Sequence, residues 1–482
     1  MKVEKVSIHG SAVGAGTATI PEAADSNPDD GGHSHEKKAV RAGIFVIGGF
    51  GLSQAFRLGG NLVLTRLLFP EAFGIMAIAN VFSTGLELLS DIGLSPAVIR
   101  SPRADEERFL NTAWTLQVIR GVLLWVAAAA VAVPLARFYG EPLLTSIVPV
   151  IALNSLIGGF RSTSSFTLQK DLKQGLVMTI ELTKQLVALL VMIAIAYAYR
   201  TIWALVIGTI VGTVIKTVWT HYIPSPAKNR FTLDRSAVRE ILAFGKWVLF
   251  STGVMFLAQQ SDRILLGRLM PISLFGVYSI ALGFAELPKQ VMVRLASKVL
   301  FPLLSKYKHL DRSRMRGKIR QQRLVTVLPL TALVASLGVF GDLIMLFLYD
   351  ARYEQAGWMF PLLAVGMWPL ILYGTMDKSL YVIGKPQYVA YGNVAKFVYM
   401  LLVVPVAFRA MGPIGGVLAV AANDLPMYIV DNVALRRERL SLLGQDLMAT
   451  LLLAALIVVG LVTRSAFGIG MPWDMATINN AL

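Results

Sequence analysis

The residues of this 482-residue sequence most able to do chemistry are charged and amide side chains set inside long apolar stretches. An ionised group near the centre of a bilayer costs at least about 2.5–3.5 kcal/mol on insertion scales, so one retained there serves a cavity, a pathway or a partner. Arg57 is the clearest: it lies between Gln54 and Asn61, with Gly59 and Gly60 beside it to admit another helix or a ligand. Its guanidinium offers five donors in a fixed fork, which suits phosphate. The competing role is a structural ion pair with Glu87 or Asp91. Further along, Gln259-Gln260-Ser261-Asp262-Arg263 repeats this polar character, with an ion pair of Asp262 or snorkelling of Arg263 as the alternatives to a cavity role. Glu286, Lys289 and Arg294 flank Pro288, whose missing N–H permits a kinked, moving wall. Among the carboxylates, Glu87 and Asp91 share one helix face at i, i+4, and Asp424 lies beside Pro426 with no cation one turn away. Glu87, Asp91, Asp262 and Asp424 are thus expected as coupling-ion or structural carboxylates. Lys184 follows Glu181 by three residues and can neutralise it, while Lys216, Asp377, Lys378, Lys396 and Asp431 are expected near headgroups.

The elements that must hold these residues are membrane helices. Apolar residues make up 55% of the chain and charged ones only 15%, against about a quarter in soluble domains; the mean hydropathy is +0.63. Stretches long enough to cross a hydrocarbon core of about 30 Å recur from 43–66 to 447–463. The pattern predicts twelve crossings plus a thirteenth, with 322–348, 388–410 and 413–434 among them and a fourteenth left open. The expected plan is all-α: a disordered tail at 1–39, an N-lobe at 40–222, a linker at 223–240, a C-lobe at 241–435, and an extra helix and tail at 436–482.

A repeat supports two lobes. The phrase Arg66-Leu-x5-Phe73-Gly74-x3-Ile78-Ala79 returns 202 positions later as Arg268-Leu-x5-Phe275-Gly276-x3-Ile280-Ala281, each at a corner between two apolar stretches. A thinner echo, Pro149-x2-Ala152 with Lys173 and Pro361-x2-Ala364 with Lys385, is offset by 212, as an insertion within Ser305 to Gln322 would produce. Duplicated bundles are common in secondary transporters, whose substrate site lies between the repeats. With the amino end inside, 25 Lys and Arg fall on inside segments and seven outside, so the positive-inside rule places that end in the cytoplasm. The net charge of +16 then records loop orientation and attraction to anionic lipid, and calls for no nucleic-acid partner.

Several chemistries are excluded. There is no cysteine, so no disulfide or thiolate metal site exists. His33-x-His35 lies on a tail without further fixed ligands, and His221 and His309 fall in loops. No nucleotide-binding or nucleophile motif occurs and no loop is long enough for a soluble catalytic domain, so neither cofactor nor enzymatic activity is expected.

The run Gly51-Leu-Ser-Gln-Ala-Phe-Arg57 through Phe73-Gly74, the segment Asp91-Ile-Gly93-Leu-Ser-Pro96-Ala-Val-Ile-Arg100, and Phe301-Pro302-Leu-Leu-Ser305 together resemble the polysaccharide transporter family. These are the Wzx-type lipid-linked oligosaccharide flippases of the multidrug/oligosaccharidyl-lipid/polysaccharide exporter superfamily, and the resemblance covers about 40–463. It implies two pseudo-symmetric six-helix lobes around a central cationic cavity. Alternating access would carry an undecaprenyl-pyrophosphate-linked glycan across the bacterial inner membrane. The family's first-helix cation maps onto Arg57; Arg263, Lys289 and Arg294 are assigned to the substrate from depth. Trp247, Trp358 and Trp368 are available to stack on sugar or to pack at the interface. A polysaccharide polymerase and a chain-length regulator are implied partners. Without an ATP motif, an ion gradient or the membrane potential is the expected driving force. The rival readings are a drug antiporter of the same superfamily, expected to rely on acidic cavity residues, and a membrane-embedded polymerase, expected to carry a large outside loop.

Overall fold

Helices follow one another along the described residues because the apolar stretches must satisfy their backbone groups internally. The computed structural model describes residues 32–90, 93–170, 174–225, 227–296 and 309–472 with Leu304 and Tyr307, and side chains from residue 48 onward outside 169–174 and 243–251. The tail histidines, Asp91, Trp247 and most of the 301–305 run lie outside the described side chains. Among the described residues there is no strand.

The first half comprises α1 (Gly32–Leu67), α2 (Pro70–Leu89), α3 (Leu94–Arg100), α4 (Glu107–Tyr139), α5 (Leu144–Gly159), α6 (Ser164–Lys170), α7 (Gln174–Tyr199) and α8 (Trp203–His221). The second opens with α9 (Arg235–Leu269), α10 (Ile272–Ala285), α11 (Leu287–Leu295) and α12 (Arg312–Leu348). It continues through α13 (Ala356–Gly366), α14 (Trp368–Gly374), α15 (Asp377–Val382), α16 (Gln387–Ala421) and α17 (Leu425–Arg437), and ends with α18 (Leu443–Ala466). Eight helical segments among the described residues are long and apolar enough to cross a membrane. The longest, Gln387–Arg437, breaks at Met411 and Gly412, where glycine takes φ 60°, so it holds two crossings where 388–410 and 413–434 were expected. The α10–α11 pair breaks at Glu286, two residues before Pro288, where a kink was expected. Three starts differ: α1 is helical from Gly32, inside the expected tail, α9 from Arg235, inside the expected linker, and α12 from Arg312 rather than near 322, because Asp234 and Asp311 cap the last two and the Arg, Lys and Gln residues that follow Asp311 are good helix formers.

The linker 223–240 is held by chemistry local to α4. The backbone N–H groups of Arg230, Thr232 and Asp234 donate to Asn111 Oδ1, Thr115 Oγ1 and Thr112 Oγ1 at 3.1, 2.9 and 3.1 Å. Asp234 then caps α9, accepting from the Ser236 and Ala237 N–H groups at 2.8 and 3.0 Å. The Ser236 hydroxyl and the Ala237 N–H hold its carboxyl down to about 2, so the cap stays ionised at any physiological pH.

The two copies of the repeated corner pack against each other. A Cβ on Gly74 would overlap the carbonyl oxygen of Ile272, and one on Gly276 would overlap that of Pro70. Ile272 stands 202 positions after Pro70, and Gly276 the same distance after Gly74, so the contact is reciprocal. Beside it, Arg352 reaches across to the end of α1. Its Nη2 donates to the Thr65 carbonyl at 2.9 Å and pairs with Asp350 at 2.6 Å, while the Tyr353 hydroxyl donates to the Leu68 carbonyl at 3.3 Å.

Two arginines counted from the sequence as loop charges are buried. Arg323 on α12 is 0% exposed and pairs with Asp446 on α18 at 2.5 Å, with Thr375 Oγ1 and the Leu372 carbonyl each 2.8 Å away. Arg464 on α18 grips Asp342 on α12 through two bonds of 2.6 and 2.8 Å. The two pairs stand 19 residues apart on α12, about 28 Å at roughly 1.5 Å per residue, close to one hydrocarbon thickness. The extra helix α18 is thus bolted parallel to α12 near both membrane edges.

Candidate functional site

A cavity of about 440 Å³ opens among α1, α2, α5, α7 and α8. Arg57, Asn61, Asn80, Thr84, Glu87 and Lys184 are among the groups that line it. Gly60 lets α1 approach Leu189 on α7, while Gly59 faces open space. A second cavity, of about 420 Å³, lies where the two halves meet and is lined by Gln259, Gln260, Arg263, Ser279, Glu286 and Lys289. Asn80 and Thr84 on α2 line both, so one polar wall separates and joins the two spaces.

Glu286 organises the second cavity. Its carboxylate lies 3.1 Å from Lys289 Nζ and 3.5 Å from Arg263 Nη2, and it is within electrostatic reach of Arg57. Arg57 meets Gln290: with the amide turned to satisfy its neighbours, the Gln290 oxygen accepts from Nη2 and Nη1 at 3.1 and 3.2 Å. The Arg57 Nε is buried without a hydrogen-bond partner. Arg263 also donates to Gln260 at 2.8 Å. On the first-cavity side, Glu181 is held by Lys184 at 3.1 Å and Lys216 at 2.6 Å, and Glu87 accepts from Ser155 at 2.7 Å. Three carboxylates, Glu87, Glu181 and Glu286, thus stand among the cations of the two walls.

The structure brings Arg57, Arg263, Lys289 and Glu87 onto these walls and leaves other expected residues elsewhere. Arg294 is exposed and stacks 3.3 Å over the Phe50 ring. Asp262 turns from the cavity into the core, where the Tyr278 hydroxyl donates to it at 2.9 Å. Asp424 is 2% exposed and does have a cation: Lys396 on α16, buried rather than at a headgroup, meets it at 2.7 Å, and Tyr373 donates at 2.9 Å. Lys216 likewise reaches Glu181 rather than headgroups. Trp358 and Trp368 are buried, bonding Gln355 and Thr450 at 2.7 and 2.9 Å, and line neither cavity. Asp431, expected near headgroups, is 0% exposed, with both carboxylate oxygens unpartnered. The sequence reading missed the role of Asn80 and Thr84; with Glu87 they form an i, i+4, i+7 polar stripe on an otherwise apolar helix, which is the signal that marks them.

A family model described as polysaccharide biosynthesis protein matches residues 63–357, which takes in α2 through α12, both repeat corners and the shared cavity wall. The chain belongs to that family. Among curated relatives, the succinoglycan biosynthesis transport protein ExoT of Rhizobium meliloti (strain 1021) is 24% identical over 307 residues, 63% of this chain and 61% of the relative. The teichuronic acid biosynthesis protein TuaB of Bacillus subtilis (strain 168) is 23% identical over 257 residues, 52% of each. The lipopolysaccharide biosynthesis protein WzxC of Escherichia coli (strain K12) is 22% identical over 307 residues, 64% of this chain and 60% of the relative. The alignments thus span about half to three fifths of these relatives' lengths.

Among solved structures, the lipid II flippase MurJ in an inward closed conformation superposes with a TM-score of 0.67 at 13% identity, over 88% of this chain and 98% of that one. An inward-facing multidrug resistance transporter of the MATE family and MOP superfamily gives 0.56 at 14% identity, over 85% and 94%. These likenesses concern the fold. Like them, this member of the polysaccharide biosynthesis family is an all-helical, multi-pass membrane protein.

Proposed function

We propose that this protein is a flippase for a glycan carried on a lipid-linked pyrophosphate, moving it between leaflets for surface-polysaccharide synthesis. One observation carries the reading: Arg57, Arg263 and Lys289 gather around Glu286 in polar cavities inside the bundle, where charge is otherwise costly. A diphosphate and a sugar chain cannot cross hydrocarbon unaided, whereas a polyprenyl tail can stay in lipid, so such a carrier needs only a polar path open to the side. The transport and flippase relatives support a carrier rather than a catalyst. Guanidinium and ammonium groups would exchange Glu286 for phosphate oxygens, and the Asn, Gln, Ser and Thr lining would bond sugar hydroxyls.

Coupling to an ion gradient belongs to the same reading. Asp431 is buried with neither carboxylate oxygen hydrogen-bonded, and we assign it the role of carrying the proton. Deleting the protein is expected to strand lipid-linked repeat units on the cytoplasmic leaflet, with surface polysaccharide lost. Sugar-oxidising or lectin probes that cannot cross the membrane, applied to intact spheroplasts, measure this. Fully accessible lipid-linked single units would overturn the flippase in favour of a polymerase; unchanged polysaccharide with raised sensitivity to cationic drugs would favour an exporter. The same labelling in cells carrying Asp431→Asn, with and without a collapsed pH gradient, tests the proton role: that variant should match the collapsed wild type, and normal transport by it would remove Asp431.

A further inference from the structure

At the far end of α12, away from both polar cavities, the structure holds a composite pocket of a different kind. Arg312 and Arg316 from the start of α12 and Arg436 and Arg439 from the end of α17 line a space of about 640 Å³. A groove of about 550 Å³ continues from it between α12 and α18, walled by Leu324, Leu328, Met448 and Leu452. Ser313, Arg316 and Gly444 line both, so the basic space and the apolar groove are one surface. Neither part shares a lining residue with the Arg57 or Arg263 cavities.

The charges there are only partly spent, although Asp311 also lines the space. Glu438 stands 3.8 Å from Arg312, and Asp311 is occupied in capping α12 through Ser313. Arg316, Arg436 and Arg439 have no carboxylate within ion-pair distance among the described residues. The first turn of α18 has no side-chain cap, and the N–H groups of Leu443 and Gly444, both on this pocket, precede its first backbone bonds from Gln445 and Asp446 to the Leu442 carbonyl. Arg439 sits at φ 58°, a left-handed position that favours glycine, so an arginine is held there against backbone preference. Below this head, Gly317 and Gly444 leave open space in the groove, since a Cβ on either would meet nothing within 4 Å.

Four arginines over a narrow apolar channel at a membrane edge complement a phosphate over an acyl chain. We propose that this pocket binds an anionic phospholipid from the adjoining leaflet. Its phosphate would sit among Arg312, Arg316, Arg436 and Arg439, and one acyl chain would lie in the groove between α12 and α18. The lipid would then brace the α18 helix, whose Asp446 lies two residues beyond Gly444 and anchors Arg323. This inference does not depend on what the central cavities carry.

The test is lipid retention by the purified full-length protein, measured by native mass spectrometry after equilibration with equal amounts of phosphatidylglycerol and phosphatidylcholine. Wild type should retain phosphatidylglycerol at least tenfold over phosphatidylcholine and melt at a higher temperature in its presence. The double variant Arg436→Ala/Arg439→Ala should lose that preference and that shift. Gly444→Leu, which has room to fold and fills the groove, should lose retention while every arginine is intact. Equal retention of the two lipids by wild type, or unchanged retention by Gly444→Leu, would overturn the proposal. Displacement of phosphatidylglycerol by a polyprenyl diphosphate at equimolar concentration would also overturn it, because the occupant would then be the long-chain diphosphate lipid.

Discussion

At the scale of single residues, the structure turns Arg57 from an isolated intramembrane charge into one member of a set centred on Glu286. Arg57→Ala is expected to abolish polysaccharide export while membrane abundance stays near wild type, because its side chain lines a cavity rather than filling the core. Arg57→Lys should recover only part, since an ammonium cannot reproduce the forked contact. Complementation of a deletion strain, with immunoblots of the membrane fraction, measures both; normal export by abundant Arg57→Ala would remove the residue from the site. Arg57, Arg263 and Lys289 were legible in the sequence because ionised groups stand out within apolar stretches. Their grouping was not, since Glu286 reaches Arg263 from another helix and Lys289 from one turn away. Asp424 shows the limit most sharply: its cation, Lys396, is 28 residues earlier on a neighbouring helix, a distance that no local spacing rule covers. Arg323 and Arg464 fell to the same limit, reading as loop charges because each sits near the end of an apolar run.

Among the elements, the decisive contact is the crossing of α2 and α10, where the two copies of the repeat meet through Gly74 and Gly276. The repeat and its glycines could be read from the sequence; that the copies touch could not, because a duplication says nothing of whether its halves share an axis or stand apart. Gly276→Ala places a methyl on the Pro70 carbonyl and must push the helices apart, at a cost of about 1–3 kcal/mol. Gly59→Ala, whose added methyl meets open space, should be neutral. Thermal unfolding of the purified variants followed by fluorescence-detected size exclusion separates the two; equal melting temperatures would mean that the crossing tolerates a wider approach. The start of α2 was legible at Pro70, whereas α9 and α12 begin six and ten residues before their expected spans, because a capped, charged run reads as loop yet propagates helix.

For the whole molecule, an even number of crossings between the two repeat corners would put both on one side of the membrane, and the distribution of Lys and Arg predicts that this side is outside. Reporter fusions after Arg66 and Arg268 are expected to report the periplasm and fusions at Arg316 or Arg320 the cytoplasm; a cytoplasmic signal after Arg268 would break this arrangement. The bolts between α12 and α18 carry a further consequence, one of timing. Asp342 is synthesised 122 residues before Arg464. At roughly 5–20 residues per second, the ribosome therefore leaves α12 waiting about 6–24 s with a carboxylate and a guanidinium that have not met their partners. During that interval neither charge has the partner that α18 supplies. A chain cut short before Asp446 would leave Arg323 and Asp342 without these partners, two charges stranded in sites shaped to pair them, and is expected to be cleared from the membrane faster than the full chain.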